Sequence, residues 1–546
     1  MSTFPLRALP RLVTLALACL AANACAGHAS ASSACDALAH AALDGGEVTD
    51  ATLVRGGWHF SMAMLAIAHR PFIDLPASCR VTLRLRPSTD SDIRAEVWLP
   101  ATQWNGKLQG IGNGGLAGSI DPLQMSIAIK HGFAAVGTDT GHRGKDTDAT
   151  WALGHPEKIR DFGWRAVHES TRQAKIIVDR YYGKPAQKSY FAGCSYGGRT
   201  ALRLAQQFPD DYDGIIAGAP ANDGSNLITT GAWLQQRIRD VPGAWIPQKK
   251  QAAIAARVLA MCDGDDGVKD GVLDDPRTCG FQPEDMQCKG VDTDTCLTPP
   301  QVETLRRIYD GPGGNLGDSI AHGYERGGEG SEHWRQWQMG DKPGNSVLAI
   351  FGREFFRNFV YDDPHWDLDR ADYAKDRIAA RERLGPDYDA RDPDLSAFRA
   401  RGGKLIMFHG WNDAALSPRL SVDYYENVRR TLGAAETDDF MRLYMVPGME
   451  HCVGGPGTNA VGWLPLPGNA PDANGGIGAA LEAWVERGEA PQSIVAAKYE
   501  DDMRGMLAPA TTTLIRTRPL CPYPQVARWN GEGSTDEARN FSCVNP

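Results

Sequence analysis

At 546 residues the chain is several times the usual domain size, so it can bury a large core and carry a second structural unit. Its 57 basic and 67 acidic residues are mixed along the sequence to a net charge of −10, without the basic stripe that a phosphate backbone requires, and nucleic acid is excluded as an expected partner. The 60 glycines and 34 prolines follow no period, which excludes a fibre and indicates a loop-rich globular protein.

Arg7 and Arg11 precede an apolar run from Leu12 to Ala22, and small residues follow through Ala34, the layout of a secretory signal peptide. Residues 1–31 are read as that signal, with cleavage between Ala24 and Ala31, and the mature chain is expected to be secreted or periplasmic. A lipid anchor on Cys19 or Cys25 is the competing reading, and neither cysteine has a branched residue three positions before it. No later stretch reaches the ~20 continuous apolar residues of a membrane span. Ten cysteines lie beyond the signal, an even number that in an exported chain suggests disulfides, and no pair has the two-residue spacing of a zinc knuckle.

Alternating apolar residues predict strands between Val81 and Leu99, and Lys107 to Ile111 predicts another, running into Gly112-Asn113-Gly114-Gly115. Phe133 to Gly137 reads as a strand, Phe162 to Tyr182 as a helix, Ser189 to Ala192 as a buried strand, Arg199 to Phe208 as a helix and Ile215 to Ala217 as a strand. This alternation is that of a parallel sheet covered by helices. It stops after Ala221 and resumes with Lys404 to Phe408, Arg442 to Val446 and a helix over Gly476 to Arg487. The expected organisation is therefore a core in two parts, 32–221 and 399–546, interrupted by an inserted lid over 222–398.

Gly193-Cys194-Ser195-Tyr196-Gly197 fits G-x-S-x-G between a predicted strand and a predicted helix, the setting in which a tight elbow presents a nucleophilic serine. A serine hydroxyl needs a base, and the base needs a carboxylate to orient it. In an α/β-hydrolase fold these follow in the order Ser, acid, His. Asp413 lies just past the first strand after the insertion and His451 just past the next, so Ser195, Asp413 and His451 form the expected triad. His409 is the runner-up base, although it precedes the acid. Oxyanion donors are expected from the backbone N–H of Tyr196 and from the 112–115 stretch, with Gly114 or Gly115 preferred. Cys194 directly precedes Ser195 and Cys452 directly follows His451; a disulfide between them would draw nucleophile and base together.

Within the insertion, Asp263, Asp266 and Asp270, with the carbonyls of Val268 and Val272, could supply a hard cation such as calcium with oxygen ligands on a glycine-rich loop. The spacing is not that of an EF-hand. Phe351, Phe355, Phe356, Trp334 and Trp337 are expected beneath the lid, where an aromatic acyl group would bind.

Taken together, the Gly193 to Gly198 segment, the Asp263 to Val272 loop and His451-Cys452 resemble the tannase and feruloyl esterase family, which also includes mono(2-hydroxyethyl) terephthalate hydrolase. The resemblance implies an α/β-hydrolase fold with a large inserted lid domain, a structural calcium ion and the triad Ser195, Asp413 and His451. It also implies the pairs Cys35–Cys79, Cys194–Cys452, Cys262–Cys279, Cys288–Cys296 and Cys521–Cys543. The activity it implies is hydrolysis of a small-molecule aromatic ester through an acyl-enzyme, with feruloyl, galloyl and terephthalate monoesters as the alternatives. Tyr196 departs from the small or acidic residue frequent at that position, and its ring is expected to narrow the acyl pocket. The reading from a different class is an inactive hydrolase fold that serves as a calcium-dependent binding protein.

Overall fold

The computed structural model describes residues 31–56, 75–313, 315–316, 319–463, 476–507 and 509–546. The expected export signal therefore lies outside the described residues except for its last position. No helix among the described residues is long and apolar enough to cross a membrane.

The centre of the molecule is a ten-stranded sheet. Its strands in chain order are β1 (Ala42–Leu43), β2 (Gly46–Val54), β3 (Ser78–Leu85), β4 (Ile93–Pro100), β5 (Lys107–Ile111), β6 (Ala134–Thr138), β7 (Lys188–Cys194), β8 (Gly214–Gly218), β9 (Lys404–Gly410) and β10 (Met441–Val446). In space they lie in the order β1-β2-β3-β4-β6-β5-β7-β8-β9-β10. The strands from β6 to β10 run parallel, and β4 joins them antiparallel through β6. Consecutive residues of β9 serve opposite faces, as the period of two requires. Leu405 and Met407 pack with Phe191 and Ile215 on one side, while Ile406 and Phe408 pack with Tyr190 and Ile216 on the other. Burial on both faces is why the parallel strands read as unbroken apolar runs.

Helices cover both faces. On one side lie α1 (Pro122–Lys130) and α8 (Gly476–Arg487), through Met125, Ile129, Leu481 and Trp484. On the other lies α3 (Tyr196–Gln207), through Leu202 and Leu204. The helix expected over 162–182 is α2 (Ala166–Tyr182) preceded by a wider π turn over Asp161–Arg165. Gly163 in that turn lies so close to another segment that an added Cβ would stand 1.9 Å from the carbonyl oxygen of Asp387. Helix α3 begins at Tyr196, three residues before the expected Arg199, because the turn at Ser195 feeds straight into it. The strand pair β1–β2 had no expectation: β2 alternates half-buried and exposed positions at the sheet margin, and its polar residues hide the pattern.

Between β8 and β9 the described residues add no strand to the central sheet. There α4 (Gly224–Asp240), α5 (Val347–Phe355) and α6 (Tyr373–Tyr388) enclose an aromatic core of Phe355, Phe356, Phe359, Trp366 and Tyr388, and α7 (Arg419–Leu432) follows β9. A second cluster gathers Trp334, Phe281, Leu305 and Tyr309. Disulfides Cys262–Cys279 and Cys288–Cys296 staple this segment, Cys35–Cys79 ties the N-terminal helical segment to β3, and Cys521–Cys543 closes the C-terminal hairpin. A mostly parallel sheet flanked by helices and interrupted after β8 by a large insertion is an α/β-hydrolase fold.

Candidate active site

Ser195 stands between β7 and α3 with φ 64° and ψ −122°, a left-handed conformation costing a non-glycine residue on the order of 1–3 kcal/mol. Close packing holds it there. A Cβ on Gly193 would fall 2.6 Å from the Gly197 carbonyl carbon, and one on Gly198 would fall 2.2 Å from the Gly218 oxygen. The Ser195 N–H donates to the Gly218 carbonyl at 3.0 Å, while its own carbonyl accepts from Arg199 at 3.0 Å and Ala221 at 3.2 Å. Ser195 occupies the N-cap of α3, yet its side chain makes no capping bond. Tyr196 opens the helix, so its N–H is one of the donors without an intrahelical acceptor.

Asp413, the expected acid, follows β9, and His451, the expected base, follows β10. His451 Nδ1 lies 2.6 Å from Asp413 Oδ2, and the same oxygen meets His409 Nε2 at 3.0 Å. Asp413 Oδ1 accepts from the N–H groups of Ala415 at 2.8 Å and Leu416 at 2.9 Å. Burial alone would raise the Asp413 carboxyl, but the charge of His451 and the hydrogen bonds from both histidines outweigh it and hold the group far below the usual carboxylate range. With Nδ1 engaged by the acid, His451 keeps Nε2 for another partner. His409, the runner-up base, has no exposed surface and bonds Ser421 Oγ through Nδ1 at 2.7 Å, so it supports Asp413 from behind.

The Cys194–Cys452 bridge spans 258 residues of sequence and sets the two Cα atoms 6.1 Å apart. It brings Ser195 and His451 to the wall of one cavity of about 820 Å³. Among the described contacts no hydrogen bond joins the two side chains, so the bridge delivers proximity rather than direct contact. Cys452, like Ser195 beside Cys194, has a positive φ, 66°, so backbone strain lies at one end of the bridge and next to the other.

Gly112, Gly114 and Gly115 line the same cavity, as does Tyr196. Gly115 has φ 53°, and a Cβ there would stand 2.6 Å from the Asp146 carbonyl oxygen, whereas one on Gly114 would meet nothing within 4 Å. The Tyr196 ring packs against Phe162 at 5.5 Å and Tyr388 at 5.8 Å, with its hydroxyl bonded to Tyr388 and the Arg199 guanidinium 4.8 Å from its centroid. That aromatic anchorage fixes the first turn of α3 beside Ser195.

The five aromatic residues expected under the insertion divide. Trp337 and Phe351 line the cavity together with Leu227, Ile228 and Val347 from the same segment. Phe355, Phe356 and Trp334 are fully buried and belong to the insertion's own core. Spacing could not separate the two groups, because helical periodicity marks an apolar face without saying what covers it. Sequence reasoning missed Trp463, which lines the cavity just past β10, and His333, whose ring lies nearly parallel to that of His451 at 6.4 Å. Burial lowers His333 to about 4, so it stands there as a neutral imidazole.

In the acidic loop, Asp263 Oδ1 accepts from Asp270, Gly271 and Val272 N–H groups at 3.2, 2.9 and 3.2 Å, and Asp266 Oδ1 accepts from Val268 N–H at 2.8 Å. Arg516 and Arg518 both meet Asp270 Oδ2, at 2.7 and 2.6 Å. Each carboxylate is thus engaged through one oxygen by the partners described, and Gly267 and Gly271, with φ 90° and 81°, turn the backbone between them. All-oxygen donors on such a loop fit a hard divalent cation in chemistry. Their oxygens are not drawn together: among the described residues only Cys288, Asp292 and Cys296 cluster within 4.8 Å as candidate ligands, and those cysteines are joined in a disulfide.

A family model described as tannase and feruloyl esterase matches residues 79–544. An uncharacterized esterase of Xanthomonas campestris pv. campestris is 40% identical over 541 residues, covering 94% of this chain and 92% of the relative. Mono(2-hydroxyethyl) terephthalate hydrolase of Piscinibacter sakaiensis is 32% identical over 539 residues, covering 86% of this chain and 85% of the relative. The crystal structure of feruloyl esterase B from Aspergillus oryzae superposes with a TM-score of 0.83 at 29% identity, over 94% of this chain and 100% of that one. The chain therefore belongs to the tannase and feruloyl esterase family and is a carboxylic ester hydrolase.

Proposed function

We propose that the chain is an exported serine esterase that cleaves aromatic or phenolic esters through an acyl-enzyme. The observation that carries this reading is the Cys194–Cys452 bridge, which sets a strained serine beside an imidazole already paired at 2.6 Å with a buried carboxylate. Ser195 Oγ attacks the ester carbonyl carbon while His451 Nε2 takes the hydroxyl proton. The developing oxyanion is met by the Tyr196 N–H and by an N–H of Gly114 or Gly115. When the tetrahedral intermediate collapses, the C–O bond to the alcohol breaks and His451 returns the proton to that leaving oxygen. Water then attacks the acyl-enzyme by the same route, and the carboxylic acid departs. Asp413 orients His451 and stabilises the imidazolium formed in each half-reaction.

Trp337, Phe351 and Trp463 on the cavity wall support an aromatic acyl group, since offset ring pairs contribute roughly 0.5–1.5 kcal/mol beyond the area they bury. Asp263, Asp266 and Asp270, with the carbonyls of Val268 and Val272, would hold a calcium ion that supplies structural cross-linking and takes no part in acyl transfer. Five disulfides support passage through an oxidising compartment.

Ser195→Ala is expected to abolish both fluorophosphonate labelling and the burst of released alcohol, leaving the residual catalysis of the oxyanion donors alone. Labelling that persists in the variant would dismiss the serine mechanism. A panel of methyl ferulate, methyl gallate and a terephthalate monoester ranks the acyl groups.

A further inference from the structure

Apart from His451, the wall of the catalytic cavity carries acidic residues and no basic one among those described. Asp121 and Asp146 line it, Tyr196 is the remaining ionisable residue there, and no lysine or arginine lines it among the described residues. Asp121 caps α1: its Oδ1 accepts from Leu123 N–H at 2.9 Å and Gln124 N–H at 3.1 Å, and its Oδ2 from Gln124 Nε2 at 2.7 Å. These partners are neutral dipoles, and the helix N-terminus offsets only about half a charge. Asp146 is exposed and stands against the glycine stretch. Its carbonyl accepts from Leu116 N–H at 2.7 Å, and a Cβ on Gly115 would meet the Asp146 Cβ at 3.1 Å. A third carboxylate, Asp413, lies behind His451. The remaining wall is largely apolar, with Ile120, Leu227, Trp337, Phe351 and Trp463 prominent.

We infer that this cavity selects among aromatic esters by charge: it admits uncharged acyl groups and turns away esters that carry a carboxylate on the acyl ring. The inference rests on the aromatic-ester reading. An anionic ring entering here leaves water for apolar walls without meeting a lysine or arginine, and it approaches two aspartates that repel it. Like-charge repulsion from the two aspartates together is expected to account for roughly tenfold in selectivity. Hydroxycinnamoyl and galloyl esters enter uncharged. A terephthalate monoester brings the charge the cavity opposes.

The test compares kcat/KM for dimethyl terephthalate with that for monomethyl terephthalate, which share a ring and a methyl ester and differ by one charge. The mature protein is measured beside Asp146→Asn, Asp121→Asn and the double variant. Intrinsic differences in ester reactivity cancel when the neutral-to-anionic ratio is compared between proteins. The ratio is expected to fall about tenfold in the double variant, with Asp146→Asn alone accounting for part of it, and to fall in the unmodified protein as salt rises from about 0.01 M to about 1 M. Asparagine also caps helices, which preserves the start of α1, and exposed Asp146 carries the test by itself should Asp121→Asn melt early. A ratio that stays constant across variants and salt overturns the inference. Absence of both hydrolysis and fluorophosphonate labelling in the unmodified protein would instead overturn the esterase reading beneath it.

Discussion

Asp413 holds two imidazoles on one carboxylate oxygen and two backbone N–H groups on the other, so every donor it faces supports the ionised form. Only His451 of the two histidines reaches the cavity; His409 holds Asp413 from a fully buried position. A hydrogen bond to a buried charge contributes about 1.5–3 kcal/mol, so its loss should let Asp413 swing and misalign His451. His409→Leu is expected to lower kcat by about tenfold or more with KM little changed, and His409→Gln, which keeps a side-chain donor, to recover much of the loss. Equal defects in the two variants, or a loss confined to thermal stability, would reduce His409 to a packing residue. The sequence placed His409 four residues before the acid, near enough to make it a rival base. What order along the chain could not reveal is that both histidines share one carboxylate oxygen.

At the scale of elements, the site is two glycine turns pressed together. The 112–118 stretch is braced by His142, whose Nε2 donates to the Leu116 carbonyl at 2.9 Å and whose ring stacks on Trp151 at 3.6 Å. Burial pushes His142 down to about 4 against the pull of that carbonyl, so the folded protein keeps it neutral where an unfolded chain would protonate it. The sign follows from linkage. Between pH 6.5 and pH 4 the unfolded state binds the extra proton, and this histidine's contribution to stability falls as pH falls. Unfolding of the wild type and His142→Gln across that interval should show the wild type losing ground by up to roughly 1.4 kcal/mol per pH unit. Parallel stability curves would contradict the assignment. Elements such as β7, β8 and β9 were legible because strands buried on both faces must be apolar throughout. The elbow was legible because close approach allows only glycine at 193 and 198. The bracing by His142 was not, since it depends on a turn folding back over residues already passed.

For the molecule as a whole, the acidic loop is a junction. It belongs to the insertion, yet Asp270 pairs with Arg516 and Arg518 on the strand Leu514–Leu520, and Arg528 donates to the Asp266 carbonyl at 3.3 Å. A cation bound there would fasten the insertion to the C-terminal hairpin, adding about 2.7 kcal/mol at a hundredfold excess over its dissociation constant. Chelation is expected to lower the melting temperature by a few degrees, added calcium to restore it, and Asp263→Ala to erase the response. Identical melts with calcium and with chelator would remove the ion from the account. The two halves of the central sheet were readable on either side of the insertion, whereas this long-range tether was not, because charge pairing across more than two hundred residues leaves no local pattern. The bridge between Cys194 and Cys452 has a temporal meaning as well. A chain whose bridge has not yet closed holds the turns of Ser195 and His451 together by packing alone, so the wall of the cavity is expected to reach its final form only with oxidation.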